Sequence, residues 1–168
     1  MKTHNALLWP LVFLVSCGYS TESMMVPGVQ SVAVALAENA TWYRQAEVTY
    51  TREVTREILR HPGVTLRSDS DAQAILRSKI LTIPRLTLIE DDRDQILEGG
   101  VLVEVEFTLV DARDGAVLVP PTRVVRRAEN IVPRPESLGF AVDEALVEAA
   151  RDTVVQLMSV GFLRHMRP

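Results

Sequence analysis

From Val101 to Leu109 the side chains alternate without a break. Val101, Val103, Val105, Phe107 and Leu109 take the odd positions, and Leu102, Glu104, Glu106 and Thr108 take the even ones. In an extended chain this period of two puts one set on each face. Asp114-Gly115 follows and is a strong hairpin signal. Ala116 to Arg127 then returns as a second strand. A hairpin of this kind must bury its apolar face against something else, and this limits the chain to folds with a covered sheet. Pro120 and Pro121 remove two ladder donors from the returning strand, so it is expected to be bulged or at an edge.

The remaining elements fit around this hairpin. Ser31 to Leu36 reads as a first strand. Asn39 or Thr41 is placed to cap a helix over Trp42 to Arg60, in which Tyr43, Ala46, Tyr50, Val54 and Ile58 recur at helical spacing. Arg44, Glu47, Thr51, Arg52 and Thr55 occupy its other face. His61-Pro62-Gly63 stops it. Val64 to Arg67 is a short strand and Ser68 to Asp71 a turn. Ala74 to Ile89 is a long alternating strand disturbed at Pro84, with Glu90 to Asp94 as a charged tip. Leu138 to Val160 is a second amphipathic helix with Gly161 as its C-cap, before a basic tail at 164–168. The order β-α-β-β-β-β-α predicts an α+β fold, a two-layer sandwich. Its two helices pack on one face of a mixed four- to five-stranded sheet.

The first residues carry a different signal. Lys2 precedes an apolar run from Ala6 to Val15, which ends in Leu14-Val15-Ser16-Cys17. The run is about half the roughly 20 residues that a membrane-spanning helix needs, and Pro10 breaks it. Leu at −3 and Ser at −1 before a cysteine match a bacterial lipoprotein signal. The expected organisation is a signal peptide at 1–16, a lipidated Cys17 with its tether at 17–28, an α+β domain at 29–163 and the tail at 164–168. Gly18 in place of aspartate favours the outer membrane, and several acyl chains hold a protein there where a single chain would bind marginally. The lead from Gly18 to Gly28 spans at most about 35 Å at about 3.3 Å per residue.

Composition narrows the function. The formal net charge of −4 becomes −5 once Lys2 is removed, so the chain lacks the basic footprint of a nucleic-acid binder. Cys17 is the single cysteine, which leaves no internal disulfide. No nucleophile elbow, phosphate loop, dinucleotide fingerprint or zinc signature occurs. His4, His61 and His165 have no partners at ligand spacing. The acidic tip at Glu90 to Asp94 lacks the glycine and distal glutamate of a calcium loop. The expectation is a protein without enzymatic activity, cofactor or metal.

The cations on extended segments are more informative. Arg77 and Lys79 share strand parity and so point to one face. Arg85 lies beyond Pro84, and Arg123, Arg126 and Arg127 are on or near the last strand. If these strands are neighbours, the cations form a patch suited to an anionic amphiphile or a phosphate-bearing glycolipid. The other reading is edge protection, in which charges blunt exposed strand edges.

Several segments together resemble one family. They are the lipobox with Cys17-Gly18-Tyr19, then Val32-Ala33-Val34, then Glu38-Asn39-Ala40-Thr41 before a helix rich in Thr, Glu and Arg. Gly63-Val64-Thr65-Leu66 and Asp71-Ala72-Gln73-Ala74-Ile75-Leu76-Arg77 follow. This succession resembles the LptE family of lipopolysaccharide-assembly lipoproteins over nearly the whole mature chain. The resemblance implies a lipoprotein of the cell outer membrane that plugs the LptD β-barrel, helps assemble it and assists lipopolysaccharide insertion into the outer leaflet. It also implies lipopolysaccharide contacts on the sheet, for which Arg77, Lys79, Arg85, Arg123 and Arg126 are the candidates here. The Pro120-Pro121 pair and the acidic tip depart from what every member is expected to share. The rival class is a periplasm-facing regulatory or scaffolding lipoprotein, such as a peptidoglycan-synthase activator, which starts in a similar way. The short lead favours a partner at the membrane itself.

Overall fold

A computed structural model describes residues 26–90, 92, 96–131 and 137–165. In chain order the elements are β1 (Ser31–Val34), β2 (Glu38–Asn39), α1 (Ala46–Leu59), β3 (Thr65–Leu66), β4 (Ala74–Thr82), β5 (Arg85–Glu90), β6 (Ile96–Asp111), β7 (Val117–Ile131) and α2 (Ser137–His165). The segments read as signal peptide and lipidation site, with Cys17, lie outside the described residues, as does most of the acidic tip.

The alternating segment is the core of β6, and β6 organises the sheet. β7 lines one side of it and β4 and β5 share the other, all antiparallel to it. β1 and β2 run in turn along the far side of β4, both parallel to it, and β3 runs parallel to β1. Seven strands therefore lie in five rungs of one mixed sheet. The predicted strand from Ala74 to Ile89 is divided at Pro84. The register against β6 slips between Ile80 and Thr82, and Leu102 N donates to the Pro84 carbonyl at 3.1 Å to keep the ladder continuous. On β7, a second slip accompanies Pro120-Pro121, on a strand that pairs only with β6 among the described residues.

Both helices cover the same face. Tyr50, Val54 and Ile58 of α1 and Leu146, Ala149, Val154 and Leu157 of α2 join Leu76, Ile80, Val101, Val103, Val105, Phe107 and Leu109 in one core. Burying each large side chain contributes roughly 1.5–3 kcal/mol, which is how a chain with no internal disulfide holds together. Val26 and Val29 are already inside this core, so packing begins within the segment read as tether.

Three local expectations change. First, α1 starts at Ala46, not at Trp42. Asn39 does not cap it but belongs to β2, and its side chain holds the turn that follows. Its Nδ2 donates to the Tyr43 carbonyl (2.8 Å) and to Glu47 Oε2 (2.7 Å), while its Oδ1 accepts from Thr41 N (2.9 Å) and Thr41 Oγ1 (2.8 Å). The cap position is taken by Gln45 at φ 67, with no side-chain capping bond. Second, Trp42 is outside the helix and outside the core. Third, α2 continues past Gly161 to His165, which takes Arg164 and His165 out of the predicted tail. One interior glycine costs a helix about 1 kcal/mol, too little to end a long one.

Candidate functional site

The face of the sheet turned away from the helices carries the polar half of the alternating pattern. Arg77 and Lys79 of β4 are exposed there, between the buried Leu76, Ser78 and Ile80. Their register partners on β6 are Thr108 and Glu106. Glu106 is in turn opposite Arg123 of β7, and Lys79 is opposite Glu38 of β2. One row therefore crosses four strands as Glu38, Lys79, Glu106 and Arg123, with alternating charge.

Most of these charges are paired. Lys79 Nζ is 3.3 Å from Glu38 Oε2. Arg123 reaches Glu104 Oε1 with Nη1 at 2.8 Å and Glu106 Oε2 with Nε at 3.3 Å. Arg127, two rows on, is 3.2 Å from Glu129. Cross-strand pairs of opposite charge add a fraction of a kcal/mol each and specify register. Arg77 makes no ion pair among the described residues. The face is thus a charge-balanced polar surface with one unpaired arginine, rather than a basic patch.

The five candidate cations do not converge. Arg77, Lys79 and Arg123 share the outer face. Arg126 is on the helix-covered face, opposite the buried Val103, and its guanidinium is ion-paired with Asp152 of α2. Two adjacent residues of a strand cannot point the same way, and Arg126 differs from Arg123 by an odd number. Arg85 is opposite Val101, a core position, and emerges at the rim of the sheet, where its Nε is 3.5 Å from the Tyr43 hydroxyl. The neutralising Glu104 and Glu106 were visible as polar positions of β6. Their pairing with Arg123 was not, because the slip at Pro120-Pro121 defeats counting outward from the hairpin turn.

Among the described residues no group of His, Cys, Asp or Glu is gathered to hold a metal ion, and no helix is long and apolar enough to cross a membrane. One buried titratable group, Tyr50 of α1, has a structural role. Burial pushes the Tyr50 phenol above its ordinary value, against the smaller opposing effects of its hydrogen bonds with Ser78 and Thr153.

No family model and no curated protein matches this chain. Solved structures do. Rare lipoprotein B from Shewanella oneidensis is 21% identical and superposes with a TM-score of 0.54, over 82% of this chain and 99% of that one. The chain has the fold of rare lipoprotein B. A protein from Xanthomonas campestris gives a TM-score of 0.58 at 13% identity, over 85% of this chain and 94% of its own. PelC from Paraburkholderia phytofirmans, solved as a dodecamer, gives 0.53 at 14%, over 80% and 92%. At these identities the likeness concerns the fold, and several of the proteins that share it are lipoproteins.

Proposed function

We propose that this protein is an outer-membrane lipoprotein of the LptE kind. It is held by acyl chains on Cys17, seated in the lumen of an LptD-type β-barrel, and helps that barrel form and pass lipopolysaccharide to the outer leaflet. The observation that carries the reading is the two-faced sheet. One face is sealed by both helices, and the other, among the described residues, is an extended, charge-balanced surface. Such a surface suits the polar interior of a large barrel. The order of sequence motifs and the fold shared with rare lipoprotein B support the same reading. The unpaired Arg77, beside Lys79, is where an anionic glycolipid headgroup would be met.

The role is non-catalytic, and the domain works as a wedge. The distance from Cys17 to the first core residue, Val26, is at most about 30 Å at about 3.3 Å per residue, which keeps the partner at the membrane. The test is affinity capture of the lipoprotein from detergent-extracted membranes. Recovery of a large outer-membrane barrel is the expected result, with Cys17→Ala losing both incorporated fatty acid and the barrel. Recovery of a peptidoglycan synthase without a barrel would establish the regulatory rival instead.

A further inference from the structure

The turn between β2 and α1 displays the most exposed large apolar side chain of the described residues. Trp42 is 99% exposed. Water contact over a whole indole is unfavourable by the area rule for apolar surface, and the turn that presents it is not loose. Asn39 ties it down through four hydrogen bonds to Thr41, Tyr43 and Glu47. Thr41 Oγ1 accepts a further bond from Tyr43 N at 3.2 Å. Gln45 closes the turn in the left-handed region at φ 67, where a side chain other than glycine is strained. The hydrogen bonds fix the backbone of the turn that carries the indole.

Arg52, Arg56, Arg60, Lys79, Arg123, Arg126, Arg127 and Arg151 all have carboxylate partners. Among the described residues Arg44, next to Tyr43, and Arg85, whose Nε approaches the Tyr43 hydroxyl, have none, and neither do Arg67, Arg77 and Arg113 elsewhere on the fold. One unpaired guanidinium therefore belongs to the turn that carries the exposed indole, and a second reaches that turn through Tyr43. The site is also set apart from the chain's entry to the fold. Val32 pairs with Ala74 and Asn39 with Ile80, six residues along β4, or about 20 Å of strand.

We propose that Trp42 is the anchor of a protein–protein contact, and that its partner presents an apolar socket rimmed by carboxylates that meet Arg44 and Arg85. Tryptophan and arginine are the residue types most enriched where truncation costs most binding energy. A turn already held in its bound shape loses little entropy on docking. The inference goes beyond the barrel reading and holds whether the partner is the barrel or another envelope protein.

The test places a photoreactive amino acid at position 42 of the full chain in cells, with a second chain labelled at the exposed Val117 as control. The expected result is an adduct with one protein from position 42 only, mapped to a pocket with acidic residues at its edge. Arg44→Glu with Arg85→Glu should reduce that adduct about tenfold or more. Trp42→Ala should weaken binding of the purified partner about tenfold or more while leaving the urea midpoint unchanged. An adduct with lipid, or a blue shift of Trp42 fluorescence on adding phosphatidylglycerol–phosphatidylethanolamine vesicles alone, overturns the proposal in favour of a membrane seat. So does the absence of a protein adduct, a socket without carboxylates, or indifference to the arginine reversals.

Discussion

The Tyr50 hydroxyl and Thr153 Oγ1 are 2.8 Å apart in the middle of the core and form a buried polar link between α1 and α2. Thr153 also donates toward the Ala149 carbonyl at 2.9 Å, as helical threonines do. With its proton directed to Ala149, Thr153 accepts from the Tyr50 hydroxyl. Tyr50→Phe leaves Thr153 its helical acceptor and should cost about 1 kcal/mol, whereas Thr153→Val takes an acceptor from a buried phenol and leaves it Ser78 alone, and should cost about 1–3 kcal/mol. Urea unfolding of both single variants and the double variant gives the coupling. The double variant should be more stable than the summed single losses allow.

The same phenol predicts how the fold responds to alkali. Burial raises the Tyr50 pKa above its unfolded value, so the folded state holds the proton more tightly than the unfolded chain does. Its contribution is fully present below the unfolded value of about 10 and is lost as pH rises from there through the folded value. The stability difference between the wild type and Tyr50→Phe should be constant from pH 7 to 9 and narrow above about pH 10. Urea midpoints measured across that range check it, and a difference that widens in alkali would contradict the burial argument.

Gly100 marks a tight backbone approach in the sheet. A Cβ added there would come within 2.9 Å of the Ala128 carbonyl oxygen on β7. That atom belongs to the opposing ladder and cannot swing aside like a side chain. Gly100→Ala should therefore destabilise by about 1–3 kcal/mol, as overpacking does. Gly115→Ala, at φ 73 with open space around it, tests backbone strain alone. Thermal melts of the two variants separate crowding from conformation.

The parts of this fold that could be read from the chain are those governed by local periodicity. β6 follows from the alternation of Val101 to Leu109, and its hairpin from Asp114-Gly115, where Gly115 indeed takes a positive φ. The buried stripe of α1 follows from Ala46, Tyr50, Val54 and Ile58. What could not be read depends on long-range pairing. Trp42 and Tyr43 continue the helical spacing on paper. Asn39, however, is held in β2 against Ile80, and its amide bonds then hold the chain in a turn for one more step. The face taken by Arg126 was hidden for the same reason. Parity separates it from Arg123, but only α2 packing on β7 supplies Asp152 and shows which face is covered.

That difference of face yields a prediction for lipopolysaccharide. Arg77→Asp with Lys79→Asp removes the unpaired cation and its neighbour and should weaken binding in a purified-component assay, with the fold intact. Arg126→Ala should leave binding unchanged, because its guanidinium faces Asp152 on the other side of the sheet. Glu104→Gln with Glu106→Gln frees Arg123 from both of its carboxylates and should strengthen binding. Equal effects from Arg77 and Arg126 would mean that net charge, not the outer face, governs the interaction.

The turn that presents Trp42 can be tested apart from any partner. Asn39→Ala removes the four bonds that bind this turn together, two of them to the backbone of Thr41 and Tyr43. β2 keeps its ladder to β4, since Ala40 N still donates to the Ile80 carbonyl at 3.0 Å. The loss should therefore be local, about 1–2 kcal/mol in stability by the usual worth of such bonds. Trp9 lies in the segment read as signal peptide, so in the mature chain Trp42 is the sole tryptophan and its fluorescence reports this turn alone. Steady-state anisotropy should fall in Asn39→Ala while the emission maximum stays at the red edge of a water-exposed indole. Partner affinity should fall with it, because a mobile indole must be ordered on docking. Unchanged anisotropy would show that the strained Gln45 and the start of α1 hold the turn without Asn39.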